Sequence, residues 1–337
     1  MRWIRRAGCA LLSAMLTLGA GAAFAENQDA LFAEAAAALK TPAAAALEAG
    51  TLALRPGDSL YHPALRSTVV PYDQLETTAA PAVQGAVTSS DPAVVRADAD
   101  GLLTALTPGT AEVSCQTGAG TQTLTVIVTD DAIPLAARNF AYVAQREFTQ
   151  TARARLPKYN QYAKWYYGKR KEVGWCSVFT IWCANASGNH PVDESAVTEA
   201  ATDQVLYFRE GQVGNQYDGF QKLGRFTGEP RVGYVVLYGD LSNSYRTTHI
   251  GIVVGAEARG AGLYRVTTVE GNMSNTVKSY CYLYDSNLDN HTVGVEKGKR
   301  LQENMSVVPK VEQTDPLVQY ALQTDHWCVF GFGASWL

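Results

Sequence analysis

From Thr51 to Thr129 apolar and polar residues alternate in short runs, such as Thr123-Leu124-Thr125-Val126-Ile127-Val128, separated by the turn signals Asp100-Gly101 and Pro108-Gly109. A period of two turns one face of each run to a core and the other to water, which predicts a small all-β sandwich over residues 51–130. After Asp130-Asp131 the period changes, and Leu135, Phe140, Val143, Ala144 and Phe148 recur at helical spacing behind Pro134. Further on, the runs Val232 to Tyr238, Ile250 to Gly255, Leu263 to Val269, Val277 to Leu283 and His326 to Phe332 are rich in β-branched and aromatic residues and predict strands. Helices followed by an antiparallel sheet predict an α+β domain over residues 134–337.

Residues 26–50 are dominated by alanine, at Ala35 to Ala38 and Ala43 to Ala46, broken by Thr41-Pro42. They are expected to form short helices or a loose linker. In residues 1–25, Arg2, Arg5 and Arg6 precede the apolar stretch Ala10 to Leu18, and Ala23-Phe24-Ala25 has the small-x-small cleavage pattern. This is the layout of a secretory signal peptide, so a secreted protein beginning at Glu26, extracellular or cell-wall associated, is expected. The apolar stretch is shorter than the ~20 residues that span a bilayer, and no membrane insertion is expected.

Composition sharpens this picture in two places. The formal net charge is −4, and loss of the three leader arginines would leave −7, the wrong sign for a nucleic-acid partner. Of 6 cysteines, Cys115, Cys176, Cys183, Cys281 and Cys328 lie beyond the leader. An odd number in an exported chain points to an unpaired thiol.

Gly174-Trp175-Cys176 opens the apolar segment that continues to Asn185, so Cys176 is expected in the first turn of a buried helix. Unpaired backbone N–H groups and the positive end of the helix dipole stabilise a thiolate there and could hold an oxyanion. Cys183, two turns on, is read as core packing. A thiol nucleophile needs a base. Among the 5 histidines, His62 falls in the β-rich region, His190 and His291 in polar loops and His326 at the start of the last strand. His249 alone heads a strongly patterned strand, Thr247 to Gly255, where a rigid sheet could aim its imidazole. An antiparallel neighbour ending in Val269-Glu270-Gly271-Asn272 would bring Glu270 level with that histidine to fix its tautomer, and Asn272 could share or take that role.

Two resemblances follow from these residues. Thr88 to Val95 and Gly101 to Val113 resemble the group 2 bacterial immunoglobulin-like (BIG2) domain, which implies an immunoglobulin-like sandwich acting as a spacer or adhesion unit. Trp175-Cys176 with Trp182-Cys183-Ala184-Asn185, His249-Ile250-Gly251-Ile252-Val253 and Glu270-Gly271-Asn272-Met273-Ser274-Asn275 resemble the CHAP family of papain-like cysteine peptidases and amidases. The upstream Tyr162 to Gly168 and the closing Val329 to Gly333 are similar too. The resemblance implies a papain-like α+β fold with helices packed on an antiparallel sheet. It also implies hydrolysis of an amide in peptidoglycan, between muramic acid and L-alanine or within the stem peptide or cross-bridge. Cys176 would be the nucleophile, His249 the proton carrier, and Glu270 or Asn272 the orienting group.

No cofactor is expected. No Cys/His pair has zinc spacing, and no Asp-x-Asp-x-Asp-Gly run of the calcium-loop type is present. Two departures from the family pattern bear on the site. Gly233-Tyr234 stands where the family usually has Gly-Asp, and the segment from His190 to Pro230 is long enough to carry selectivity or a lid. Two other classes compete: an inactive surface binding or adhesion protein, and a thioester acyl transferase that passes its acyl group to an amine.

Overall fold

A computed structural model describes residues 42–65, 87–118, 120–151, 154–189, 191–193, 205–240, 246–287, 299–300 and 327–337. The expected leader, residues 26–41, His190, His291 and His326 lie outside the described residues. The chain is a mixed α/β protein with several antiparallel sheets and few helices. None of its described helices is long and apolar enough to cross a membrane.

Helix α1 (Pro42–Ala49) leads into strands β1 (Thr51–Leu54), β2 (Ser59–Tyr61), β3 (Val87–Ser89), β4 (Val95–Ala97), β5 (Leu102–Ala105), β6 (Gly109–Thr117) and β7 (Gly120–Val128). They form a four-stranded sheet in the order β1-β7-β6-β3 and a three-stranded sheet in the order β2-β5-β4. The alternation seen in the sequence is carried out residue by residue. In β7, Leu124, Val126 and Val128 are buried while Thr125 and Ile127 are turned out. Inward residues of both sheets share one core, including Leu52, Leu54, Val113, Cys115 and Leu124 from one and Leu60, Val95, Leu103 and Ala105 from the other. β1 runs parallel to β7, pairing Leu52 with Val126.

Helix α2 (Leu135–Thr151) joins this region to the rest. Leu135 belongs to the first core, whereas Phe140, Val143 and Ala144 belong to the next. The Asp58 carboxylate accepts the Leu135 backbone N–H at 3.1 Å, capping the helix with a side chain from the turn between β1 and β2. Arg138 donates to the Ala53 carbonyl at 2.7 Å across the same joint. Burial raises the Asp58 carboxyl above its ordinary range, against the N–H groups of Arg55 and Leu135 and the charge of Arg138.

Beyond α2 come α3 (Gln161–Tyr167), α4 (Cys176–Ala186) and α5 (Val213–Lys222), then β8 (Phe226–Thr227), β9 (Val235–Asp240), β10 (Arg246–Gly260), β11 (Leu263–Glu270), β12 (Lys278–Asp285), β13 (Lys299–Arg300) and β14 (Trp327–Gly333). The strand order is β12-β11-β10-β9-β14-β13, with β8 on β14. One face packs Val235, Leu237, Ile250, Ile252 and Val269 against Phe140, Trp175, Val178, Phe179 and Trp182 of the helical layer. The other face carries a second core of Val236, Tyr238, Val253, Val266, Tyr282 and Phe332. With both faces buried, the central strands have no water-facing side, which is why Val235-Val236-Leu237-Tyr238 is continuously apolar.

Two differences in strand starts from the sequence reading bear on the site. β9 starts at Val235 instead of Val232 because Gly233 turns the chain at φ 87°. β10 starts at Arg246, so His249 stands inside the strand, just after a register shift between Thr247 and His249 against β9. Such a bulge re-aims the side chain that follows it.

Candidate active site

The start of α4 is fixed from behind. Trp175 supplies the N-cap backbone but no side-chain cap, and its ring is wholly buried, stacked on Tyr162 at 5.5 Å and edge-on to Phe179 at 6.4 Å. Tyr162 is itself held, because the Asn160 side chain caps α3 at the N–H groups of Tyr162 and Ala163, both at 3.1 Å. The first-turn N–H groups of α4 are therefore left for other partners, and those of Ser177 and Cys176 turn to the Cys176 thiol. Cys176 is half-buried, while the residues from Ser177 to Ala184 behind it are buried.

His249 reaches this thiol from the sheet. Its Nε2 lies 3.0 Å from Oε2 of Glu270, with both side chains almost wholly buried. The ring also hydrogen-bonds the Cys176 side chain. Burial alone would push the Cys176 thiol up. The hydrogen bond and charge of His249, with the two backbone N–H groups, outweigh it and hold the thiol below its usual range. Burial likewise opposes a charged His249, yet its bonds to Cys176 and Glu270 and their charges raise it to about 9. Both directions favour the thiolate–imidazolium pair over the neutral pair.

Glu270 can reach His249 because Gly251 stands between them. The ladder that pairs Ile252 with Val269 places Gly251 opposite Glu270 at the next step, and a Cβ on Gly251 would sit 2.6 Å from Glu270 Cγ. The second carboxylate oxygen is held as firmly as the first: Oε1 accepts from the Tyr238 hydroxyl at 2.6 Å and from the Thr268 hydroxyl at 2.7 Å. Tyr238 and Tyr282 share a further hydrogen bond of 3.1 Å. A carboxylate with both oxygens held by buried donors has little freedom to turn, so the imidazole it supports is fixed as well.

Asn272 occupies a different place. It opens a turn in which Asn272, Ser274 and Asn275 all take positive φ, at 64°, 58° and 63°. Its side-chain nitrogen lies 3.4 Å from where a Cβ on Gly174 would be, beside the backbone that leads into Cys176. The structure thus gathers Cys176, His249 and Glu270 into one chain of contacts and sets Asn272 on the neighbouring loop. Glycine at 271 is also required, since a Cβ there would meet Phe179 Cβ at 2.5 Å.

Cys183 lies in the core, and burial, with the charge of the nearby Glu147, pushes its thiol well up. Such a group is inert. Cys115 and Cys281 are buried, and the Thr267 hydroxyl donates to the Cys281 sulfur at 3.6 Å. His62 is buried in the first region, its Nδ1 accepting the Ala64 N–H at 3.2 Å. Tyr234, at the Gly-Asp departure, is structural: its hydroxyl donates to the Trp336 carbonyl at 2.9 Å.

The long segment after His190 is pinned to the start of α4 at its described end. Ser177 donates to the Glu210 carbonyl at 2.6 Å, and the buried Gln216 of α5 donates to the same carbonyl at 2.9 Å. Sequence reasoning did not find Gln216, Tyr238 or Thr268. The tyrosine in an otherwise aliphatic strand was the available signal; Gln216 gave none.

Comparison with protein-family models, with curated proteins and with solved structures finds no match to this chain. The chemistry must be argued from the arrangement itself: a half-buried thiol at a helix N-terminus, a base in contact with it, and a carboxylate that orients the base. These are the parts nucleophilic catalysis requires.

Proposed function

We propose that the protein is a secreted peptidoglycan hydrolase of the CHAP type that cleaves an amide in cell-wall peptide through a thioester on Cys176. On this reading residues 134–337 are the papain-like domain and residues 51–130 an immunoglobulin-like sandwich that serves as a spacer. The observation that carries the proposal is the continuous line of contact from the Cys176 thiol through His249 to Oε2 of Glu270. In the first step the thiolate attacks the amide carbonyl, and the oxyanion forms beside the first-turn N–H groups of α4. His249 then gives its proton to the leaving amine as the C–N bond breaks, producing a thioester and a free amine. Neutral His249 next takes a proton from water, whose oxygen attacks the thioester. The thiol is regenerated and a carboxylate released. Glu270, through its Oε2 contact with the ring, steadies the imidazolium.

The experiment is mass spectrometry of fragments released from purified cell wall by the full chain. The reading expects new free amines matched by new carboxylates, with no new reducing sugar ends. New reducing ends without amines would overturn it.

A further inference from the structure

Next to Cys176 the molecule carries an aromatic wall with cations upon it that the proposed reaction does not use. Trp165, Tyr166 and Tyr167 follow one another at the end of α3 and are half-buried. They pack against the same core as Cys176, and Tyr167 is close enough to the thiol to feel its charge. The Arg209 guanidinium lies 5.3 Å from the Trp165 ring centre and 5.2 Å from that of Tyr166. Lys171 places its ammonium 4.4 Å from the Tyr167 ring centre. Two rings hold the guanidinium in place while its side chain stays exposed, so its N–H edges are presented to solvent as a preformed fork.

Arg209 is also held from its backbone. Its N–H donates to the Val192 carbonyl at 2.8 Å. The carbonyl of the next residue, Glu210, accepts from Ser177, the residue after Cys176, at 2.6 Å. The arginine is thereby registered to the start of α4. The acids near this wall are Glu210, whose Oε1 already accepts the Gln212 N–H at 2.9 Å, Asp193, and Glu172, which pairs with Arg170.

We infer that this wall reads a carboxylate on the substrate, with Arg209 as the specificity-determining residue. The substrate class is a peptide carrying a free carboxylate beside the amide that is cut. The inference rests on the hydrolase reading above but is tested separately from it. A planar guanidinium takes a carboxylate through two parallel N–H···O bonds, which a carboxamide of the same shape cannot accept, because one of its two ends is a donor.

The test compares two cell-wall stem peptides that differ only in carrying a carboxylate or a carboxamide beside the scissile amide. Wild-type protein is expected to favour the carboxylate peptide by about tenfold in kcat/KM, mainly through KM, with a smaller preference at raised salt. Arg209→Met should melt with the wild type, since the side chain is exposed, and should lose the preference. Arg209→Lys should keep part of it, having the charge without the fork. Calorimetry of both peptides with the Cys176→Ala protein measures recognition without turnover. Equal or absent binding of the two peptides there, or an undiminished preference in Arg209→Met, would overturn the inference. If wild-type protein cut neither peptide while Cys176→Ala still bound the carboxylate form through Arg209, the hydrolase reading would fail and the carboxylate site would stand.

Discussion

The carboxylate of Glu270 lies across Gly251, with no side chain between the two strands at the point where it must pass to meet His249. A glycine inside a strand loses packing and adds chain entropy in the unfolded state, so its presence in β10 requires a local reason. Here the reason is space for the Glu270 side chain, together with contact to Val236, which a Cβ would meet at 3.1 Å.

Gly251→Ala is therefore expected to displace Glu270, because the new methyl has nowhere to go between its Cγ and Val236. Overpacking of this kind costs about 1 to 3 kcal/mol of stability. Activity should fall further than stability, by roughly tenfold or more, as His249 loses its support. Parallel denaturant titration and amine-release assays check this, and a fully active variant would show that Glu270 does not need its present position.

The pH dependence follows from the two shifted groups. Hydrolysis needs the thiolate, which the lowered Cys176 value makes available below the usual thiol range, and the imidazolium proton, which His249 gives up as pH rises through about 9. The rate should rise through the Cys176 value, hold, and fall on the alkaline side. Glu270→Gln removes a charge that helps raise His249, so the alkaline limb should move to lower pH. The variant should also lose roughly tenfold in rate, from exchange of a charge-assisted bond for a neutral one. An unmoved alkaline limb would separate Glu270 from the titration of His249.

At the joint between the two regions, Asp58 caps α2 from the turn between β1 and β2, accepting the Leu135 N–H. Asp58→Ala should cost about 1 kcal/mol, the usual worth of such a cap. It should also speed proteolysis near Asp130-Asp131, since the N–H it leaves behind is freed to water. Wild-type stability and cleavage rates together would show that the joint does not depend on the cap.

Much of the frame could be seen in the sequence because it rests on local pattern. Cys176 at a helix start and the strands from β9 to β12 follow from apolar spacing and a preceding glycine. What lay hidden depends on three-dimensional register. Tyr238 satisfies its strand by burying its ring, and only the pairing of β9 with β10 and of β10 with β11 brings its hydroxyl to Glu270. The bulge before His249 and the parallel β1–β7 pair leave no trace in composition. The change of period after Asp130-Asp131 puts Leu135 with the second domain, yet Leu135 packs into the first core, because a helix can present its first residue to one neighbour and its next turns to another.

The most direct measurement is amine release from purified cell wall by Cys176→Ala, with its fold verified by circular dichroism, beside the wild type. The account predicts that the wild type releases amines and that Cys176→Ala releases none above background, since water alone cannot replace the thiolate in the first step. Release by Cys176→Ala at the wild-type rate would contradict the assignment of the nucleophile and the thioester mechanism with it.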